Sequence, residues 1–281
     1  MTRISLALFG ALIALSACVT PLNRKKTQEQ LAANMSAESK ALRAGTAFKS
    51  CKPEEMARLG DTVLFNNVWG ASKITQGELR QCIFHNQPQA RGKMGWEWEV
   101  PHNARGVIAY PSVIVGHSPW VQTSSHQLPR LWEELFMIDV VYEAEMQVRG
   151  RKYNLAFDLW LTHTSLPTEK DIAYEIMVWE DHYDFRSHGR RVGSVETPFG
   201  DYWLHVGHMK RPELNTEWKY LAFVRKQRRQ SGFVDLKFLL DYAVEKGHLT
   251  PGLYLSALEF GNEVGNSSGI TVLRQFDVSI M

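Results

Sequence analysis

Tyr153-Asn154-Leu155-Ala156-Phe157-Asp158-Leu159-Trp160-Leu161-Thr162 alternates strictly between two kinds of side chain. In an extended chain successive side chains point to opposite faces, so Leu155, Phe157, Leu159 and Leu161 share one face and Asn154, Ala156, Asp158, Trp160 and Thr162 the other. The first face is core. The second, with a carboxylate beside an indole, is exposed or lines a cleft. Tyr174 to Glu180 (YEIMVWE) repeats the arrangement, with Ile176 and Val178 on one side and Glu175, Met177 and Trp179 on the other. From Cys51 to the C-terminus short apolar and aromatic runs are separated by Gly, Pro, Asn and Asp, the punctuation of a β-rich chain. A single helix signal interrupts it: Asp235 can cap a segment with Leu236, Leu239, Leu240 and Ala243 at helical spacing, ended by Gly247 and Pro251. With no internal repeat and no linker dividing 51–281, the expected fold is all-β, a jelly-roll sandwich of two antiparallel sheets with one α-helix packed outside a sheet.

The chain has 281 residues, 44% hydrophobic and 22% charged, which excludes disorder as the main state. Its 32 Lys and Arg against 30 Asp and Glu leave a net charge of only +2, giving no reason to expect a nucleic-acid partner. Nine Trp suit a protein that buries flat side chains or presents them to a ligand with flat faces.

Residues 1–17 carry one basic residue and then an apolar run too short to span a bilayer, as an export signal does. The run ends Leu15-Ser16-Ala17-Cys18, which resembles the bacterial lipobox. That resemblance implies a diacylglyceryl anchor on Cys18, and Val19 after it implies passage to the outer membrane. Residues 18–50 are polar and Ala-, Lys- and Glu-rich and read as a tether holding domain 51–281 off the membrane. Cys51 and Cys82 are then an even pair in an oxidising compartment and are expected to be bonded.

Carboxylates beside tryptophans on an exported sandwich point to sugar chemistry: indole faces stack on pyranose rings, and a pair of acids cleaves the glycosidic bond. Asn66-Asn67-Val68-Trp69-Gly70, Glu175-Ile176-Met177-Val178-Trp179 and Phe260-Gly261-Asn262-Glu263 together resemble glycoside hydrolase family 12, in the same order and with Cys51 and Cys82 flanking the first block. The resemblance covers 51–281. It implies a retaining endo-β-1,4-glucanase acting on cellulose-like chains or xyloglucan, monomeric, with no cofactor or metal. Glu175 would be the nucleophile and Glu263 the general acid/base, about 5 to 5.5 Å apart. Asp158 would hydrogen-bond the nucleophile, Asn67 a sugar hydroxyl. Met177 would pack beside the nucleophile, and Trp69 and Trp179 would stack on glucosyl units.

Trp96 and Trp98 are further subsite candidates, whereas Trp132, Trp160, Trp203 and Trp218 are assigned to core packing. Glu259 rivals Glu263, since unbroken alternation puts both on one side; Gly261 between them is read as the mark of a bulge that re-aims the chain. Glu97 and Glu99 line the cleft or face water. His205 and His208, three apart on a strand, point to opposite faces and do not form a metal site. Arg225 to Arg229 (RKQRR) reads as a solvated turn or strand edge. One departure from the family is the absence of an aromatic after the first cysteine, where the chain reads Cys51-Lys52-Pro53-Glu54-Glu55-Met56. The rival reading is a non-catalytic glycan-binding lipoprotein on the same sandwich.

Overall fold

A computed structural model describes residues 48–86, 93–123, 125–212 and 215–281. The expected export signal, Cys18 and the tether up to residue 47 lie outside the described residues. The folded domain starts three residues before the expected boundary, because Phe48–Ser50 (β1) pairs with Arg80–His85 (β4).

Two sheets stack face to face. The six-stranded outer sheet runs β1, β4, Met94–Glu99 (β5), Ser267–Ile280 (β16), Ile138–Gly150 (β8) and Ser231–Asp235 (β14). The larger sheet runs Arg190–Val195 (β11), Tyr202–Arg211 (β12), Thr216–Arg225 (β13), Ile172–Tyr183 (β10), Tyr153–Thr162 (β9), Tyr254–Gly261 (β15), Ser112–Gly116 (β6), Thr62–Phe65 (β3) and Met56–Leu59 (β2). The two-residue strand Arg130–Leu131 (β7) also pairs with β15, and pairing is antiparallel except between β10 and β13, which run parallel.

The core between the sheets takes the faces that alternation marks. Leu155, Phe157, Leu159 and Leu161 of β9 and Ile176 and Val178 of β10 meet Ile83, Trp96, Tyr142 and Leu273 of the outer sheet. Each fully buried Leu or Phe there contributes about 1.5–3 kcal/mol relative to exposure. Trp132 joins this core as expected.

The helix, α1 (Leu236–Glu245), forms where expected: the Asp235 side chain accepts the Phe238 N–H at 2.8 Å, and Gly247 closes it with φ of 72°. Its position differs from the expectation. Leu236, Leu239, Leu240 and Ala243 belong to the inter-sheet core, and the Tyr242 hydroxyl reaches the Ser194 carbonyl of β11, so α1 helps close the sandwich instead of covering an outer face.

Cys51 and Cys82 are bonded, with Cα atoms 3.9 Å apart. A cross-link spanning 31 residues stabilises the fold by about 3–4 kcal/mol on the chain-entropy account. Asn66 bolts the same corner together: its buried side chain donates to the Lys52 and Gln81 carbonyls, at 2.7 and 3.3 Å, and accepts from the Gln81 amide at 2.9 Å.

The basic run 225–229 is not simply solvated. Arg225 and Arg229 both reach the fully buried carboxylate of Glu180, which also accepts from the Tyr142 and Tyr202 hydroxyls. A buried charge without such partners would be costly, so these two cations are drawn inward.

Candidate active site

The face of the large sheet turned away from the core carries the predicted acids. Register fixes their neighbours. On β15, Glu259 lies opposite Asp158 of β9 and Gly261 opposite Ala156. The next two residues continue in step, and Asn154 on β9 exchanges hydrogen bonds with Glu263: its N–H donates to the Glu263 carbonyl at 3.0 Å, and its side-chain oxygen accepts the Glu263 N–H at 2.8 Å. Gly261 is therefore not a bulge. A Cβ there would lie 2.3 Å from the Pro111 carbonyl oxygen, so glycine is required by the close approach of the segment leading into β6. Alternation runs unbroken through Glu259, Gly261 and Glu263, and both glutamates face the cleft. On the other side of β9, Met177 lies opposite Asp158 and Glu175 opposite Trp160.

Each glutamate has its own donors. Trp218 of β13 gives its indole N–H to Glu175 Oε2 at 2.8 Å. The Asn154 side-chain amide donates to Glu263 Oε2. Glu259 accepts from the Ser112 hydroxyl at 3.1 Å and the Trp160 indole at 3.2 Å, with the Ser118 side chain as a third partner. Asp158 differs: its Oδ1 is buried and has no partner among the described residues. Two like charges directly opposite on neighbouring strands repel. With three donors on Glu259 and none on that Asp158 oxygen, the proton of the pair belongs to Asp158.

Burial raises all four carboxyls. Desolvation is the largest cause throughout, and lifts Glu175 to about 8 and Glu259 and Glu263 to about 7. The Trp218 hydrogen bond opposes the rise at Glu175, while the charges of Glu263 and Glu259 add to it. At Glu263 the Asn154 hydrogen bond and the Lys73 ammonium oppose it. Asp158 is held well above the ordinary carboxyl value by burial and by the charges of Glu175, Glu259 and Glu263. Beyond the proton held on Asp158, the glutamates titrate as an interacting set.

A stability prediction follows from the sign of these shifts. Carboxyls whose folded values exceed the unfolded 4.5 bind protons more tightly when folded. Their contribution is complete below about 4.5 and is lost as pH rises through about 7 for Glu259 and Glu263 and about 8 for Glu175. The melting temperature should fall by about 5–10 °C between pH 5 and pH 8. Glu259→Gln should flatten that slope, and calorimetry across the range reads both.

The tryptophans are distributed differently from the sequence expectation. Trp69 is 49% exposed, as a sugar platform requires, with the Lys73 ammonium 3.9 Å from its ring centre. Asn67 supports it by accepting the Trp69 N–H on its side-chain oxygen at 3.1 Å. Gly70 follows because a Cβ there would meet the Val107 carbonyl oxygen at 2.7 Å.

Trp179 lies on the expected face but is buried, its N–H on the Met177 sulfur at 3.4 Å, so it forms floor and not an open platform. Met177 packs there beside Trp179 and Tyr220. Trp96 and Trp98 are excluded from the cleft. They point from β5 into the inter-sheet core, with their N–H groups satisfied by Asn262 and Ser267. Glu97 and Glu99 point the other way and pair with Lys49 and Arg80 on the outer surface.

Trp160 and Trp218, assigned from sequence to the core, lie on the cleft face and hold Glu259 and Glu175. Trp203 is 36% exposed on β12, with the Arg191 and Lys226 cations over its ring. Trp120, which no sequence motif marks, stands 42% exposed against Trp160.

Comparison with known proteins agrees with this geometry. Residues 61–280 match Glycosyl hydrolase family 12. Endoglucanase S of Pectobacterium parmentieri is 27% identical over 225 residues, covering 77% of this chain and 81% of that protein. Xyloglucan-specific endo-beta-1,4-glucanase A of Aspergillus aculeatus is 24% identical over 236 residues, covering 82% and 90%. Among solved structures, the family 12 xyloglucanase from Bacillus licheniformis in complex with ligand superposes with a TM-score of 0.76 at 26% identity, covering 84% of this chain and all of that one. The match runs from β3 to the end of β16 and includes Asp158, Glu175, Glu259 and Glu263, and the chain belongs to glycosyl hydrolase family 12.

Proposed function

We propose that the cleft hydrolyses internal β-1,4 linkages of glucan chains with retention, Glu175 acting as nucleophile and Glu263 as acid/base. The observation that supports this most is the grouping of Glu175 and Glu263 on one sheet face, electrostatically coupled and each served by its own donor, Trp218 and Asn154. The names of the relatives, endoglucanase and xyloglucan-specific endoglucanase, agree with a β-1,4-glucan backbone as substrate. A protein that only binds glycan needs aromatic faces but has no use for four buried carboxyls, whose burial disfavours the charged forms.

In the first step a Glu175 oxygen attacks the anomeric carbon as the bond to the glycosidic oxygen breaks, and the Glu263 proton passes to that oxygen. The Trp218 N–H stabilises the charge on Glu175 until it is consumed in the ester. With that charge gone, the acidity of Glu263 increases, and it takes a proton from the water that attacks the same carbon as the ester bond to Glu175 breaks and returns it as a carboxylate. Asp158, protonated because Glu259 faces it, is placed diagonally from Glu175 and can donate to the nucleophile. On the sequence of its export segment, we assign the lipid anchor to Cys18 and place the enzyme on the bacterial envelope.

Incubation with xyloglucan, mixed-linkage β-glucan and carboxymethyl cellulose tests the reading. New reducing ends on at least one polymer are expected, with the β-anomer appearing first by proton NMR. No release from any of them, or initial formation of the α-anomer, overturns it.

A further inference from the structure

We infer that Trp120 and Glu169 form an additional glucosyl-binding site at the mouth of the cleft, an aromatic platform with a carboxylate acceptor beside it. This rests on the reading of the cleft as a glucan site. Trp120 occupies the exposed corner of a tight turn in which Ser118 and Val121 bond to each other in both directions, the Ser118 N–H to the Val121 carbonyl at 2.9 Å and the Val121 N–H to the Ser118 hydroxyl at 3.1 Å. His117 and Gln122 bridge across its base. An indole on so constrained a turn is ordered before any ligand arrives, which reduces the entropy lost on binding.

Two further contacts fix the ring. Its N–H donates to Glu169 Oε1 at 2.8 Å, and its plane meets Trp160 nearly edge-on, at 4.8 Å between centres and 78° between planes. The polar edge is thus tied down in a residue that remains 42% exposed. Glu169 begins the single turn Glu169–Asp171 that connects β9 to β10, and the reciprocal Thr168–Asp171 capping bonds hold that turn. The other oxygen of the carboxylate, Glu169 Oε2, is buried with no partner among the described residues. An unpaired buried acceptor is costly, and rotation of the carboxylate toward a sugar hydroxyl lying across Trp120 would supply the missing donor. An apolar ring face beside a carboxylate is the combination that binds a pyranose: C–H groups against the ring, hydroxyls to the acid.

The occupant is identified by continuity with the catalytic floor. Trp120 packs on Trp160, whose N–H holds Glu259, and Trp160 lies 6.3 Å from Trp218, whose N–H holds Glu175. Ser118, two residues before Trp120, also bonds Glu259. A chain lying over Glu175 and running toward Trp120 therefore places a more distant glucosyl unit on the indole. Since no aromatic follows Cys51, this loop supplies a platform from a different part of the sequence.

Kinetics of the purified full chain on β-1,4-gluco-oligosaccharides of increasing length test the site. Trp120→Ala should lower kcat/KM on cellohexaose by about tenfold more than on an aryl cellobioside, since the short substrate does not reach the platform. Trp120→Phe keeps a ring face and should retain most of the activity on cellohexaose. Glu169→Gln should lose an intermediate amount. An equal fractional loss at every length, or none on cellohexaose, overturns the proposal. If the wild type cleaves no β-1,4-glucan, the hydrolytic reading fails separately. Calorimetric titration of cellohexaose into Glu175→Gln and Glu175→Gln/Trp120→Ala then decides the platform: weaker binding by the double variant supports it, and equal binding overturns it.

Discussion

Glu175→Gln should lower kcat on a soluble β-1,4-glucan by at least about 10⁴-fold while the protein stays folded. An amide oxygen is nearly isosteric with the carboxylate and can still accept the Trp218 N–H, so that hydrogen bond persists. What disappears is the electron pair that attacks the anomeric carbon, and no neighbour replaces it. Glu259 is held by three donors at its own position on β15, and the Asp158 carboxyl is protonated. The substitution also removes a buried group held up at about 8, so the variant should melt higher than wild type at pH 8, which separates a chemical defect from misfolding. A 2-fluoro-glycosyl inactivator should label wild type on the peptide containing Glu175 and leave the variant unlabelled. If the variant keeps a tenth of its activity, or the label appears on another carboxyl, the nucleophile has been misassigned.

Parity along the chain is a reliable guide to which side chains share a face, and a poor guide to what that face looks out on. β5 and β9 alternate equally well. Trp96 and Trp98 nevertheless point into the core and Glu97 and Glu99 to the outer surface, because β5 belongs to the outer sheet. Only the pairing of β5 with β4 and β16 distinguishes it from a cleft strand, and the pairing with β16 involves residues more than 160 positions apart. Trp160 shares its parity with Asp158, so alternation alone assigned it to the cleft, and the habit of counting large aromatics as core pointed the wrong way. The indole N–H explains the outcome: buried donors require acceptors, and Glu259 provides one.

Long-range electrostatics were the least legible part. Nothing local in RKQRR shows that two of its arginines compensate Glu180, 45 and 49 residues earlier. Gly261 was read as a bulge because a glycine within a strand permits one. The structure gives the other reason a strand uses glycine, a backbone carbonyl where Cβ would be. Of the residues that motifs carried, Glu175 and Glu263 interact electrostatically on one sheet face, and Trp69 lies under Lys73, whose charge acts on Glu263. Trp218, Trp120 and the donors to Glu259 were not legible, since each acts across strands that only the fold brings together.

Glu263→Gln should lower kcat on polymeric glucan by about 10²–10⁴-fold, and this loss should depend on the leaving group, unlike the loss at Glu175. The Glu263 proton matters where the departing oxygen is a poor leaving group, as a glucosyl hydroxyl is. A dinitrophenyl glycoside departs without protonation, so the variant should still form the glycosyl-enzyme from it at nearly the wild-type rate and then stall, because no base activates the incoming water. Azide needs no base, and its addition should restore turnover and yield a β-glycosyl azide. The pH profile supplies a second signature. One proton shared by Glu175 and Glu263 must stand on Glu263 for the first step, so wild-type kcat/KM on polymer falls as pH rises past about 7 to 8, where the interacting pair loses it. In the Gln variant that alkaline limb should disappear. Asn154, which donates to the Glu263 side chain and backbone carbonyl and accepts the Glu263 N–H on its side-chain oxygen, will still orient a glutamine, so geometry is preserved while the transferable proton is lost. If the variant loses the aryl substrate and the polymer equally and azide restores neither, Glu263 is not the acid/base, and Glu259, the other glutamate that β15 turns to the same face, becomes the candidate.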